Sequence, residues 1–511
     1  MDAKTKMQIK EWNEFWGRLF KYNLSLLKKS EKEQDFGKES FENIIDFYLT
    51  SQAQALIKGI LLQQNNSPGT LLAARCFLEG LAIKKKYKRG EISELQIELL
   101  RQQVFIIEYN HYKNFSDIAE VVLFSENLEK NYKVAVELFQ EKLTDRFSRK
   151  QIKEIVKSDI PFLCDPRTNY RKLIAENLGE DYARLYGIYS QAIHPSTNDF
   201  YYLKFIEDTL PLVMEEVLKE YRMLDPADLT FYAYKAGIYS SDIAQEYEGL
   251  IEKECKVLNG ISEVFNRFFP KSYVSDTLRS ISLTLQDVCS DKLLGLSESA
   301  KSKWKVILDC FSAFHFVYVK CFPEEEHYKL LEEHTAIQMM RNLEKDFSDE
   351  SKKAYTIYKE IYPNGVDFVS FKNGFLTTSG YTIDEMGQSQ SLTKLVKEFL
   401  KKMPHSEDPV KALDRHLMLN YVESQMVSHA NGYLWYANAG SFCDINNTIM
   451  GTDICLTYLL KTILVAFQMH RSIEKSKEYK QIINVLRNGI KKIENIGQRK
   501  GEILKLPMVN L

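Results

Sequence analysis

Proline and glycine are scarce in this sequence, with 12 prolines and 22 glycines among 511 residues. Both residue types interrupt helices and supply turns, so their scarcity predicts long helices and few loops. A chain of this length is too long for one ordinary hydrophobic core, which predicts more than one domain. The composition therefore favours an all-α protein built as more than one helical bundle.

Motifs for metals, cofactors and nucleophiles are also missing. The eight cysteines form no C-x-x-C pair, which argues against a zinc site or a disulfide framework. The sequence has no phosphate-binding glycine loop, no dinucleotide fingerprint and no G-x-S-x-G elbow. His327 and His334 are seven residues apart, two helical turns, which is too far for one ion. We therefore expect no cofactor and no metal.

The sequence lacks a convincing membrane span. Its best candidate, Thr452–Met469, carries Asp453 and Lys461 and is only marginally long enough, so a buried core helix is the better interpretation. The N-terminal stretch is charged and amphipathic and has no signal-peptide core. A net charge of −2 argues against a general polyanion binder, although a local basic patch is compatible with it. We expect a cytoplasmic protein without a membrane partner.

One stretch, residues 181–202, has the features of a site. Ala183, Gly187 and Ser190 recur at helical spacing and form a small-residue side that lets another backbone approach closely. His194 continues that side, and Pro195 ends the helix. His194 is therefore either a site residue or a helix-terminal residue that bonds a carbonyl.

A second candidate lies on the helix predicted over 70–87, after a predicted turn at 65–69. Arg75 and Glu79 are four residues apart, so they face the same side and can form an ion pair. Such a pair is more often structural than catalytic. With His194 from a neighbouring helix, the two would supply a cation and an acid–base group for RNA cleavage.

Candidates for binding come from the same 181–202 stretch. Arg184 and His194 are ten residues apart, about 80° around a helix and about 15 Å along it, so they cannot form one local site. The tyrosines of this stretch could stack on bases, although tyrosines at helical spacing are more often core residues. The binding candidates are Arg184, Tyr189, Ser190 and Tyr201.

The second half of the chain repeats landmarks of the first at an offset of 234 residues. Cys76-Phe77 corresponds to Cys310-Phe311, and Ser190–Ile193 corresponds to Ser424–Val427. The repeat predicts two related helical bundles, at 1–225 and 226–511. Asn373-Gly374, within the alternating segment 367–379, predicts a small β-hairpin inserted in the second bundle.

The candidate site is not repeated. Asp309 falls where Arg75 would be and Ala313 where Glu79 would be. Ser428 falls where His194 would be, with His429 one place later. If the first-half residues form a site, this comparison predicts that the second half has lost it.

The two motifs of the first half carry a family resemblance. Ala74-Arg75-Cys76-Phe77-Leu78-Glu79 and the ending Tyr189–Pro195 resemble the A-R-x-x-x-E and L-S-x-x-V-H-P/G signatures of a bacterial family of uncharacterised helical proteins. The resemblance covers about residues 40–220. It implies an α-helical bundle loosely similar to HEPN-type domains, which recur in RNA-cleaving toxins and in antiphage defence.

Two functions follow as expectations. The first is a non-catalytic interaction or regulatory protein, in bacterial stress or phage defence, that binds a protein or RNA partner, with a homodimer left open. The second is a metal-independent, HEPN-like ribonuclease with a site made of His194, Arg75 and Glu79. The missing local Arg–His spacing and the near-neutral charge favour the first.

Overall fold

The structure is a computed structural model, and the part of the chain it describes is mostly helical. The described residues are 68–113, 121–192, 241–269, 272–293, 297–320 and 476–503, with parts of 41–56, 210–220, 382–397, 421–429 and 456–468 and the single residue 356.

Long helices account for most of this part. Those of the first half are α1 (Pro68–Lys88), α2 (Glu94–Lys113), α3 (Val121–Leu143), α4 (Arg149–Val156), α5 (Tyr170–Leu178) and α6 (Glu180–Ala192), with a 3-10 turn at Pro161–Leu163. Those of the second half are α7 (Ser241–Phe268), α8 (Tyr273–Leu293), α9 (Ser297–Lys320) and α10 (Lys477–Ile503). Residues 421–426 are helical where described, and a bend follows at Ser428 and His429.

For the described part of the chain the prediction of an all-α protein is confirmed, but the predicted β-hairpin insertion is wrong. Residues 367–379 lie outside the described part of the chain. The strands that the structure does describe, β1 (Thr382–Ile383) and β2 (Ser389–Gln390), are a two-residue antiparallel pair outside the predicted segment. A pair this short has no face to bury, so it adds no second structural class to a helical protein.

The predicted helix over 70–87 begins two residues earlier than expected. Pro68 and Gly69, interpreted as part of a turn, instead open α1. Proline suits a first helical turn because its missing N–H group would be unbonded there in any case. The Asp287 carboxylate lies against this end of α1, so close that a Cβ on Gly69 would meet its Oδ2 at 2.5 Å. A negative charge at a helix N-terminus is favourable.

Helix α1 is the centre of the described structure. Residues 69–84 are buried without interruption, and α1 packs against α5 and α6 of the first half and against α8 and α9 of the second. One cluster of buried apolar residues includes members of all ten helices. The predicted division into 1–225 and 226–511 stays a prediction, because the joint at 225 lies outside the described residues.

No helix in the described part of the chain is both long and apolar enough to cross a membrane.

Candidate functional site: a buried polar cluster around Arg75

The buried centre of α1 carries charge. Arg75 is 4% exposed and Glu79 is fully buried, and the Arg75 Nε atom lies 3.6 Å from Glu79 Oε1. Burying either charge alone would cost several kcal/mol, so each needs a close partner and further hydrogen bonds. Because of the four-residue spacing, Arg75 and Glu79 are each other's first partner. Their other partners come from distant parts of the chain.

The second partner of Arg75 is a backbone carbonyl. Arg75 Nη2 donates a hydrogen bond of 2.6 Å to the carbonyl oxygen of Ser428. The thiol of Cys76 lies 3.4 Å from the same oxygen. Ser428 follows a helix, and the last carbonyls of a helix have no partner within it. Arg75 therefore satisfies a helix end that belongs to the other half of the chain.

The second partner of Glu79 is His429. The Nδ1 atom of His429 lies 2.9 Å from Glu79 Oε1, and the His429 ring stacks on Tyr170 with centroids 5.2 Å apart. The His429 side chain is 38% exposed, whereas Glu79 is not exposed at all. A carboxylate bonded to one ring nitrogen fixes the tautomer of a histidine and leaves the other nitrogen for chemistry. Of Arg75, Glu79 and His429, only His429 reaches solvent.

Two tyrosines complete the cluster, Tyr170, which is buried, and Tyr186, which is half-buried. Burial raises the pKa of Tyr186 and of Tyr170 well above the ordinary value, and the negative charge of Glu79 raises both further. Arg75 opposes the shift at Tyr186. Both phenols therefore stay protonated at every physiological pH. We call Arg75, Glu79, Tyr170, Tyr186, His429 and the Ser428 carbonyl the Arg75 cluster.

A second histidine lies beside this cluster. His111 Nδ1 is 3.2 Å from Gln425 Oε1. Burial lowers the pKa of His111 to about 4, the bond to Gln425 opposes that shift, and nearby His429 and Lys305 add to it. His111 is therefore neutral at pH 7 and serves as a polar contact between α2 and the 421–429 segment.

The structure brings together two of the three residues predicted to be catalytic. Arg75 and Glu79 are paired, whereas His194 lies outside the described residues. His429, which sequence comparison placed one residue beyond the equivalent of His194, lies against Glu79. The sequence shows that His429 lies one residue beyond the expected position. It does not show that His429 contacts Glu79 in the other half of the chain.

The predicted binding residues are placed as follows. Arg184 pairs within its own helix with Asp181, at 3.7 Å. Tyr189 is fully buried in the core, and Ser190 is half-buried on α6. Tyr201 lies outside the described residues. A residue as buried as Tyr189 cannot stack on a base unless the core opens.

No protein-family model, curated protein or solved structure matches this chain.

Proposed function

We propose that this protein acts by binding a partner, as an interaction or regulatory protein, and does not cleave RNA through Arg75 and Glu79. The observation that carries the proposal is the burial of both side chains, each bonded to the 428–429 segment. Metal-independent RNA cleavage needs a cation that can touch the phosphate. Arg75 is only 4% exposed and already donates to a carbonyl, so it does not offer that contact.

The Arg75 cluster has a structural role in this proposal. It ties α1 to a segment about 350 residues later in the chain, through one charged hydrogen bond and one histidine–carboxylate contact. Bonds of this kind hold a unique arrangement because a shifted partner leaves a charge buried and unpaired. The protein then presents its outer surfaces to a partner.

A second candidate is a metal-independent ribonuclease in which His429 takes the role predicted for His194. One observation favours it: the His429 ring is held by a buried carboxylate at Nδ1 and is 38% exposed. A histidine held in this way resembles the base of a carboxylate–histidine pair. Tyr186 and Tyr170, which stay protonated, would then be hydrogen-bond donors beside the site.

One experiment separates the two candidates. Purified protein is incubated with RNA in EDTA, as wild type, His429→Gln and His194→Ala, and each protein is melted in parallel. No RNA fragments are expected from any of the three proteins. Cleavage by wild type that His429→Gln or His194→Ala abolishes, in a variant that melts like wild type, would overturn the proposal in favour of the ribonuclease.

A further inference from the structure

Helix α10 presents an exposed polar face. Its apolar side, which includes Ile482, Leu486 and Ile493, is buried, and the helix packs against α7. The residues on the opposite side follow one another at steps of three, four and seven positions, and they are exposed. We call this surface the α10 face; its central members are Lys480, Asn484, Arg487, Asn488 and Lys491.

Among the residues that the structure describes, the cations of the α10 face have no acidic partners. Residues 479–493 contain Lys480, Arg487, Lys491 and Lys492 and no aspartate or glutamate. None of these four side chains makes an ion pair within the part of the chain that the structure describes. The net charge of the chain is −2, so this excess of positive charge is local to the α10 face. Such an excess favours an anionic partner.

Neighbouring basic residues behave differently. Lys461 pairs with Glu494 at 2.9 Å, and Arg499 pairs with Glu246 at 2.7 Å and with Glu502 at 2.8 Å. In the described part of the chain, basic side chains that border the α10 face form ion pairs, whereas those within the face do not.

The spacing of the cations suits a nucleic acid backbone. Lys480, Arg487 and Lys491 lie on one stripe, and a helical rise of about 1.5 Å per residue spreads them over about 16 Å. Duplex DNA carries a negative charge for about every 1.7 Å of its axis, so a stripe of this length meets several phosphates. The exposed amides of Asn484 and Asn488 lie between the cations and can bond phosphates or base edges.

The form of the nucleic acid follows from two further features. Tyr479 is the only aromatic residue in α10 and is buried, so the face has no ring on which unpaired bases could stack. The deep, narrow major groove of duplex RNA does not admit a helix, whereas the major groove of B-form DNA does. We propose that the α10 face docks on double-helical DNA, chiefly through its phosphates. This inference rests on the proposed function only in that the partner is bound and left intact.

The test measures binding of a labelled, mixed-sequence DNA duplex of two helical turns by fluorescence anisotropy, over a range of salt concentrations. The test variant is Lys480→Gln/Arg487→Gln/Lys491→Gln. Its matched control is Lys142→Gln/Lys150→Gln/Lys153→Gln, which removes three exposed cations from α3 and α4. We expect the test variant to lose at least about tenfold in affinity and to flatten the slope of log K against log salt by about 3. The control keeps the wild-type slope.

Several outcomes would overturn the inference: no binding by wild type, equal loss in both triple variants, or equal or tighter binding of a duplex or single-stranded RNA of the same length. The DNA is then run on a denaturing gel. Intact DNA leaves the proposed function standing whatever the binding result. DNA cut by wild type and left intact by His429→Gln would instead refute the proposed function while leaving the docking surface to be judged by the slopes.

Discussion

The Nδ1 atom of His429 lies 2.9 Å from the Glu79 carboxylate, although the two residues are 350 positions apart in the sequence. Next to this contact, Arg75 bonds the carbonyl of Ser428. The second-half segment in which the candidate site is not repeated thus bonds directly to Arg75 and Glu79 of the first half. His429, which lies one residue beyond the position equivalent to His194, is therefore the partner of the buried Glu79 carboxylate.

Removing the Glu79 charge tests the structural role of the cluster. We expect Glu79→Gln to lower the free energy of unfolding by about 3–5 kcal/mol, because Arg75 is left as a buried charge without its carboxylate. The double variant Arg75→Met/Glu79→Met should be less destabilised than the sum of the single variants, since neither charge remains. Chemical denaturation of wild type, Glu79→Gln, the double variant and its single variants Arg75→Met and Glu79→Met measures these free energies.

The matched control is Arg89→Gln, which removes an exposed pair with Glu91 near the end of α1. It should change stability little, because solvent screens such pairs. If Glu79→Gln unfolds at the wild-type denaturant concentration, the cluster does not hold the fold together and a ligand-binding role becomes the better explanation.

We expect the protein to lose stability in mild acid because of the lowered pKa of His111. Its pKa in the folded protein, lowered to about 4 chiefly by burial, is below the ordinary value of 6.5. Between these pH values the unfolded chain binds the proton and the folded chain does not. The contribution of His111 is therefore complete above pH 6.5 and is lost as the pH falls towards 4. His111→Gln should flatten the decline in melting temperature over this interval relative to wild type.

Carboxylates titrate over part of the same interval in both proteins, so the difference between wild type and His111→Gln is the informative quantity. Parallel curves for the two proteins would mean that His111 is protonated with equal ease in the folded and unfolded states.

The sequence predicted the helices well and the contacts between them poorly. The helix predicted over 70–87 and the pairing of Arg75 with Glu79 depend on spacing along one helix, which periodicity reveals. The contacts of Ser428 with Arg75 and of His429 with Glu79 depend on how distant segments pack, and no local pattern encodes that. The hairpin prediction rested on Asn373-Gly374, which is a local turn signal and does not by itself locate paired strands; the strands described lie at Thr382–Ile383 and Ser389–Gln390.

Gly80 marks a close approach that spacing alone did not reveal. A Cβ at this position would lie 2.7 Å from Cδ1 of Tyr48, whose side chain is buried and cannot swing away. Gly80→Ala should therefore destabilise the protein by about 1–3 kcal/mol, although alanine favours helix. Gly260→Ala is the control: no described residue lies within 4 Å of its Cβ, and it should stabilise by about 0.5–1 kcal/mol. Equal effects of the two variants would show that Tyr48 does not pack on Gly80.

The attachment of α10 to α7 rests on a buried ion pair beside an exposed one. Lys500 Nζ lies 2.7 Å from Glu254 Oε2 with both side chains fully buried, whereas the adjacent Arg499 pairs with Glu246 at the surface. Lys500→Met leaves the Glu254 charge buried and should cost about 3–5 kcal/mol, whereas Arg499→Gln should melt close to wild type. Chemical denaturation of both variants measures the difference.

Lys500→Met also separates stability from docking. At a temperature where the variant remains folded it should keep the wild-type salt dependence of DNA binding, because the α10 face is intact. A changed slope would mean that the orientation of α10, and not only its charge, determines how it meets the duplex.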